Sequence, residues 1–205
     1  MTSRLLSGAL LATLLLPASA AAPALAGPTA DAVTHRAAPR TTLTVHAPGC
    51  DGCTITAQSA LTADYEDVWQ SEPTEVVDGV ATFRVPTERT AGLSMSLRAP
   101  WERRLGYVTV VAMRYAGTSA GAVVSKREAR GKHRASACWA GTSASSYDLE
   151  LRTRKVRVVG VGPGRVPGTL AWVHETQDWL APMRQVWGGV MGGQDIDFCE
   201  PPAAG

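Results

Sequence analysis

Three things are missing from this chain: a surplus of charge of one sign, an apolar run long enough to span a bilayer, and a clean helical periodicity. Twenty Lys and Arg stand against 18 Asp and Glu, for a formal net charge of +2 over 205 residues. Nucleic-acid binding draws on a clear positive surplus facing phosphate, so no nucleic-acid partner is expected. The strongly apolar stretch Leu5 to Leu16 has 12 residues, whereas a membrane-spanning helix takes roughly 20. No stretch of a dozen residues carries apolar positions at a 3.6-residue repeat, which excludes a helical bundle. A hydrophobic fraction of 45% with 19% charged residues excludes disorder, collagen-like repeats and a multi-span membrane protein.

What is present begins with a leader. Arg4 precedes a charge-free run from Leu5 to Ala26, broken by Pro17 and ending in the small-x-small sites Ala18-Ser19-Ala20 and Ala24-Leu25-Ala26. This reads as a secretory signal peptide over residues 1–26, with no membrane attachment after cleavage. An exported chain with four cysteines favours disulfides over free thiols. Three connectivities are available, and Cys50–Cys53 with Cys138–Cys199 is favoured. In the chain-entropy model the long loop contributes roughly 4 kcal/mol and the short one about half that. Thr54-Ile55-Thr56 after the C-x-x-C is strand-like, so no helix dipole is available to activate a thiolate, and a structural bridge is the better reading. No Cys or His stands beside Cys138 or Cys199 at zinc-ribbon spacing, and no two His share a chelating interval, so no metal and no cofactor are expected.

From Gly27 to Arg40 the composition is Ala, Pro, Thr and Arg without apolar periodicity, which predicts an extended N-terminal tail over 27–40. Alternation then takes over. Leu43-Val45-Ala47, Cys53-Ile55-Ala57, Val80-Phe83-Val85 around an expected bulge, and Leu93-Met95-Leu97-Ala99-Trp101 space apolar residues near period 2, with turn signals at Pro48-Gly49, Asp51-Gly52, Asp78-Gly79 and Ala91-Gly92. Tyr107 to Tyr115 reads as a central strand. Tyr147–Leu151, Val156–Val159, Leu170–Val173 and Ile196–Phe198 repeat the habit, and only Ala122–Ala135 has helical potential. The expectation is an all-β chain, an antiparallel β-sandwich stapled by disulfides, divided into a first β half over 41–116, a charged connecting loop over 117–135 and a second β half over 136–205.

Several motifs carry chemistry on paper. Gly117-Thr118-Ser119-Ala120-Gly121 matches the G-x-S-x-G elbow of serine hydrolases, with Asp148 or Asp178 as orienting acid and His174 as base. That elbow needs a parallel sheet flanked by helices, which this pattern does not supply. Asp195 and Asp197, with Glu200 nearby, sit too close along one face to flank a glycosidic bond. Charge is segregated: Asp64, Glu66, Asp67, Glu72, Glu75 and Asp78 fall together, while Lys126, Arg127, Arg130, Lys132, Arg134, Arg152, Arg154, Lys155 and Arg157 dominate a later stretch. Either two solvated faces or a polarised docking surface follows from this. Of six tryptophans, Trp101, Trp139 and Trp172 lie in strand patterns and read as core. Trp179 and Trp187 lie in loop-like settings, where an exposed ring marks a protein interface or a carbohydrate-stacking platform.

A non-catalytic extracellular module that binds secreted protein partners accounts for most of these features. A carbohydrate-binding module accounts for the tryptophans, and a serine hydrolase accounts for residues 117–121. With Cys50-Asp51-Gly52-Cys53 and Cys138-Trp139 as its most distinctive residues, the layout of leader, tail and cystine-containing β halves resembles the adaptor component of umbrella toxin particles. These are secreted assemblies with which filamentous bacteria antagonise competitors. The resemblance implies an adaptor between a lectin-like subunit and a large toxin. It also implies that the tail, including Thr29, Val33, Arg36 and Arg40, is the segment inserted into the lectin; Trp179 and Trp187 are further contact candidates from their loop-like settings alone.

Overall fold

A computed structural model describes residues 38–60, 67–102, 108–130, 135–159, 164–180, 183–187 and 196–199, with the backbone alone for Val159, 183–187 and 196–198. All lie within one of the chain's two contact units, Ala37–Gly205. The expected signal peptide and nearly all of the expected tail fall outside the described residues.

The period-2 pattern becomes strands. β1 (Arg40–His46) buries Thr41, Leu43 and Val45, and β2 (Thr54–Ala60) buries Ile55, Ala57 and Ser59. Between them the backbone of Cys50 bonds to Ala47 and that of Cys53 to Cys50, a tight double turn closed by the Cys50–Cys53 disulfide at a Cα separation of 5.3 Å. Short β3 (Val68–Gln70) and β4 (Thr74–Glu75) follow, both paired with β2. A two-residue turn, Asp78-Gly79, then leads into β5 (Val80–Pro86). Both turn residues have positive φ, 50° and 75°, as the hairpin turn that matches strand twist requires. β5 runs in unbroken register against β1, with Ala81, Phe83 and Val85 inward. The expected bulge between Val80 and Phe83 is absent, because Ala81 takes the inward position.

A single 3-10 turn, Thr87–Thr90, precedes β6 (Ser94–Arg98) and the fully buried β7 (Thr109–Ala112). After β8 (Arg114–Tyr115) comes one helical turn, α1 (Lys126–Ala129), with a complete Ser125–Glu128 capping box. β9 (Ala135–Ser136), β10 (Ser146–Val159), β11 (Arg165–Val173), β12 (Met183–Trp187) and β13 (Ile196–Cys199) complete the order.

The chain is all-β, as its alternation implies, but the sheets are mixed and not wholly antiparallel. The larger runs β3-β2-β6-β7-β11-β10-β1-β5, with β4 also on β2, and the smaller runs β12-β13-β9-β8. β1 with β10, β7 with β11, and β9 with β13 are parallel. Side-chain alternation is the same in both senses of pairing, so direction is not encoded in it. The large sheet curls, because its margins β4 and β5 are consecutive in the chain and meet at the Val77–Val80 bridge. The expected first and second halves share this one sheet: β1 lies between β5 and β10, and β7 lies beside β11.

The principal core fills the concave side and draws Leu43, Ile55, Phe83, Leu93, Met95, Leu97, Trp139, Leu149 and Leu151 from both halves. Each such side chain fully buried contributes roughly 1.5–3 kcal/mol relative to exposure. A second cluster around Tyr115, Ala135, Leu170 and Trp172 covers the other side of β7 and β11. Two indole N–H groups have partners within the fold: Trp172 Nε1 donates to the Val124 carbonyl at 3.1 Å and Trp101 Nε1 to Thr169 Oγ1 at 3.0 Å.

Candidate functional site

After β11 the chain leaves the sheet as an extended ribbon, residues 174–178, held by backbone hydrogen bonds from several neighbours. His174 N donates to Glu150, Val124 N to His174, Gly121 N to Thr176, Thr176 N to Ala122, Gln177 N to Met113, and Ala140 N to Asp178. Thr176 Oγ1 adds a bond to the Ser119 carbonyl. A backbone fixed up to Asp178 dictates where the next residues go. Trp179 is 43% exposed and Leu180 38%. Val123, which bridges Glu175 on the facing strand, is 59% exposed. These three make up half of the six large apolar side chains exposed among the described residues. They sit on two segments bonded to each other or on their direct continuation.

Beneath the ribbon the Trp139 and Tyr147 rings pack at a centroid distance of 4.9 Å. Tyr147 Oη donates to Gln177 Oε1 at 2.7 Å, and Gln177 Nε2 donates to the Glu175 carbonyl at 2.9 Å. Burial, and then the carboxylates of Asp178 and Glu175, push the Tyr147 phenol above its usual value. It therefore stays protonated, as its role as donor requires. The Cys138–Cys199 disulfide, with Cα atoms 4.8 Å apart, ties the residue before Trp139 to β13. Exposed apolar surface thus stands on a rigid base flanked by two carboxylates.

The G-x-S-x-G segment has a structural role here. Gly117 and Gly121 adopt φ of 82° and 79°, and the Ser119 carbonyl accepts from Ala122 and Thr176. No long helix follows it; the next helical element is the single turn α1. The Asp148 carboxylate meets His46 Nε2 at 3.0 Å, while His174 enters the ribbon through its backbone. Ser119, Asp148 and His174 are not brought into one hydrogen-bonded set among the described residues. No group of three His, Cys, Asp or Glu side chains there is arranged to hold a metal.

Of the other residues singled out from sequence, Thr29, Val33 and Arg36 lie outside the described residues, as do Asp195 and Glu200. Arg40 opens β1, is exposed, and its Nη1 donates to the Arg84 carbonyl at 3.2 Å. Trp187 closes β12 and Asp197 lies in β13. Compared with known proteins, the chain matches no family model, no curated protein and no solved structure. Of the segregated charges, Asp67 pairs with Arg89 in the 3-10 turn and Glu150 with Arg152 along β10. Lys126, Arg127 and Arg130 line an open hollow of about 490 Å³. Leu180 and Val123 are apolar contact candidates that the sequence did not mark. Val123 sits in the one stretch with helical potential, and Leu180 follows a tryptophan that drew the attention.

Proposed function

We propose that this chain is a secreted, non-catalytic protein-interaction module and, following the resemblance above, an adaptor linking subunits of an extracellular toxin particle directed at competing bacteria. The observation that carries the interaction reading is the solvent-facing Trp179–Leu180 step on a backbone pinned by hydrogen bonds through Asp178. A large rigid ring held outward loses little conformational freedom on binding, which is why tryptophan dominates interface energetics. Two disulfides suit an oxidising, extracellular setting. No helix among the described residues is long and apolar enough to cross a membrane.

The test is co-purification from culture supernatant with mass-spectrometric identification of the partner. Trp179→Ser with Leu180→Ser loses that partner by about 30-fold or more, the scale of an interface hot spot of about 2 kcal/mol, with an unchanged thermal melt. Undiminished capture by the double variant refutes the proposed contact. Deleting residues 27–36, short of β1, tests the adaptor reading in the same assay, because on that reading the tail is the inserted segment.

A second reading rests on the same ring. An exposed indole next in the chain to Asp178, itself exposed and carrying a carboxylate, has the chemistry of a carbohydrate platform. Retention on a polysaccharide column that disappears in Trp179→Ala would favour it over a protein partner.

A further inference from the structure

β5 ends the large sheet, pairing with β1 on one side only beyond its turn. The register fixes which backbone groups face outward. Ala47 N donates to Gly79 O, so the hydrogen-bonded pairs of this antiparallel ladder are Val45 with Ala81, Leu43 with Phe83 and Thr41 with Val85. The alternate residues Val80, Thr82 and Arg84 then turn their N–H and C=O away from β1. Thr42 N, on the alternate set of β1, indeed bonds to Ser145 on the far side. Val80 is satisfied by Val77 and the Arg84 carbonyl by Arg40 Nη1. This leaves the N–H and C=O of Thr82 and the N–H of Arg84 as a donor–acceptor–donor row with no protein partner among the described residues.

We propose that this margin is a strand-docking edge that takes an extended partner segment with an acidic side chain placed opposite Arg84. Edge strands recognise peptides by completing the ladder, and alternate side chains then set specificity. Thr82 and Arg84 are both exposed on the outer face. Arg40 and Arg84 also have no carboxylate partner among the described residues. Two cations beside three free backbone groups complement a carboxylate at the residue opposite Arg84. The same charges disfavour a second copy of this chain, since pairing two β5 edges gathers like charges into one short ladder. Pro86, with no N–H, ends the edge and limits the recognised segment to a few residues.

The inference deepens the interaction-module reading and rests on it, but it uses a surface other than Trp179. The probe is a bead-displayed hexapeptide library in which valine alternates with a randomised position, panned against the full-length protein. Wild type enriches Asp or Glu at one randomised position. Thr82→Pro removes the outward N–H without touching the bonds to β1, and it enriches at least tenfold less. Arg84→Glu, which keeps every backbone group, shifts the selection to Lys or Arg. Selected peptides slow hydrogen exchange at Thr82 and Arg84 in the wild type. No acidic enrichment, equal enrichment on a folded Thr82→Pro, or an unchanged preference in Arg84→Glu overturns the proposal. Partner loss in the Trp179 and Leu180 variants alongside such a result would leave the interaction-module reading standing without this edge.

Discussion

The two disulfides close loops of very different length, and that difference predicts an ordering of stability. Cys138 and Cys199 are 61 residues apart, Cys50 and Cys53 only three. Restricting the unfolded chain over these loops contributes about 4.3 kcal/mol for the first and about 1.6 kcal/mol for the second at 25 °C in the chain-entropy model. Replacing each pair by alanine also removes buried sulfur. Cys50, Cys53 and Cys138 are fully buried and Cys199 is partly so, so the packing losses of the two double variants are of similar size. The loop term therefore survives in their difference. Cys138→Ala/Cys199→Ala should be less stable than Cys50→Ala/Cys53→Ala by about 2.7 kcal/mol. With a urea slope of about 2 kcal/mol/M this separates their unfolding midpoints by about 1.3 M. Urea titration followed by tryptophan fluorescence reads the midpoints directly. Equal midpoints, or a lower midpoint for the short-loop variant, would show that local packing at the Pro48–Cys53 turn outweighs loop closure and would refute the reasoning.

Other outcomes follow from single positions. Gly141 has φ of 85°, and a Cβ there would lie 2.5 Å from Ala91 N; Gly141→Ala should cost about 1–2 kcal/mol for the backbone conformation alone, and an unshifted thermal midpoint would contradict the close approach. Tyr147 titrates above its unfolded value of 10.0, so the unfolded chain ionises first. That stability is intact below pH 10 and declines as pH rises through the folded-state value. Tyr147→Phe should remove this alkaline decline, as followed by denaturation at stepped pH, and a decline that persists unaltered would assign it elsewhere. Two buried guanidinium nitrogens of Arg114, Nε and Nη1, have no hydrogen-bond partner among the described residues. Arg114→Met should therefore raise stability by about 1 kcal/mol, and a loss in urea titration would reveal a partner for the charge.

Much of the fold could be read from residue spacing, and the exceptions have physical causes. Leu43-Val45, Ile55-Ala57 and Met95-Leu97 alternate across a sheet with one face in the core, which is what β1, β2 and β6 do. β7, buried on both faces, reads as the continuous apolar run that a central strand requires. β3 and β4 were hidden inside the acidic stretch because an edge segment of two or three residues buries too little to impose a pattern. Tyr147–Leu151 and Val156–Val159 read as separate strands, since the intervening Arg152-Thr153-Arg154-Lys155 is polar. In the fold they are one 14-residue strand that leaves the principal core after Leu151, is exposed at Arg154 and Lys155, and is buried again at Val158. Which tryptophans face water was not written in the alternation. Trp172 and Trp179 differ in exposure because one lies within β11 and the other follows a ribbon whose backbone hydrogen bonds, among the described residues, run through Asp178.

The parallel pairing of β1 with β10 also bears on when this molecule can fold during synthesis. Leu43 lies opposite Tyr147 and Val45 opposite Leu149, so the first strand made waits for one made more than a hundred residues later. Until then β1 has only β5 beside it, and the concave core lacks Leu149 and Leu151. No N-terminal fragment can close the sheet, so structure should be gained late and in one step, with the slow kinetics of non-local topology. A nascent chain of this design cannot complete its principal core until β10 and β11, which supply Leu149, Leu151, Ala171 and Val173, have been made.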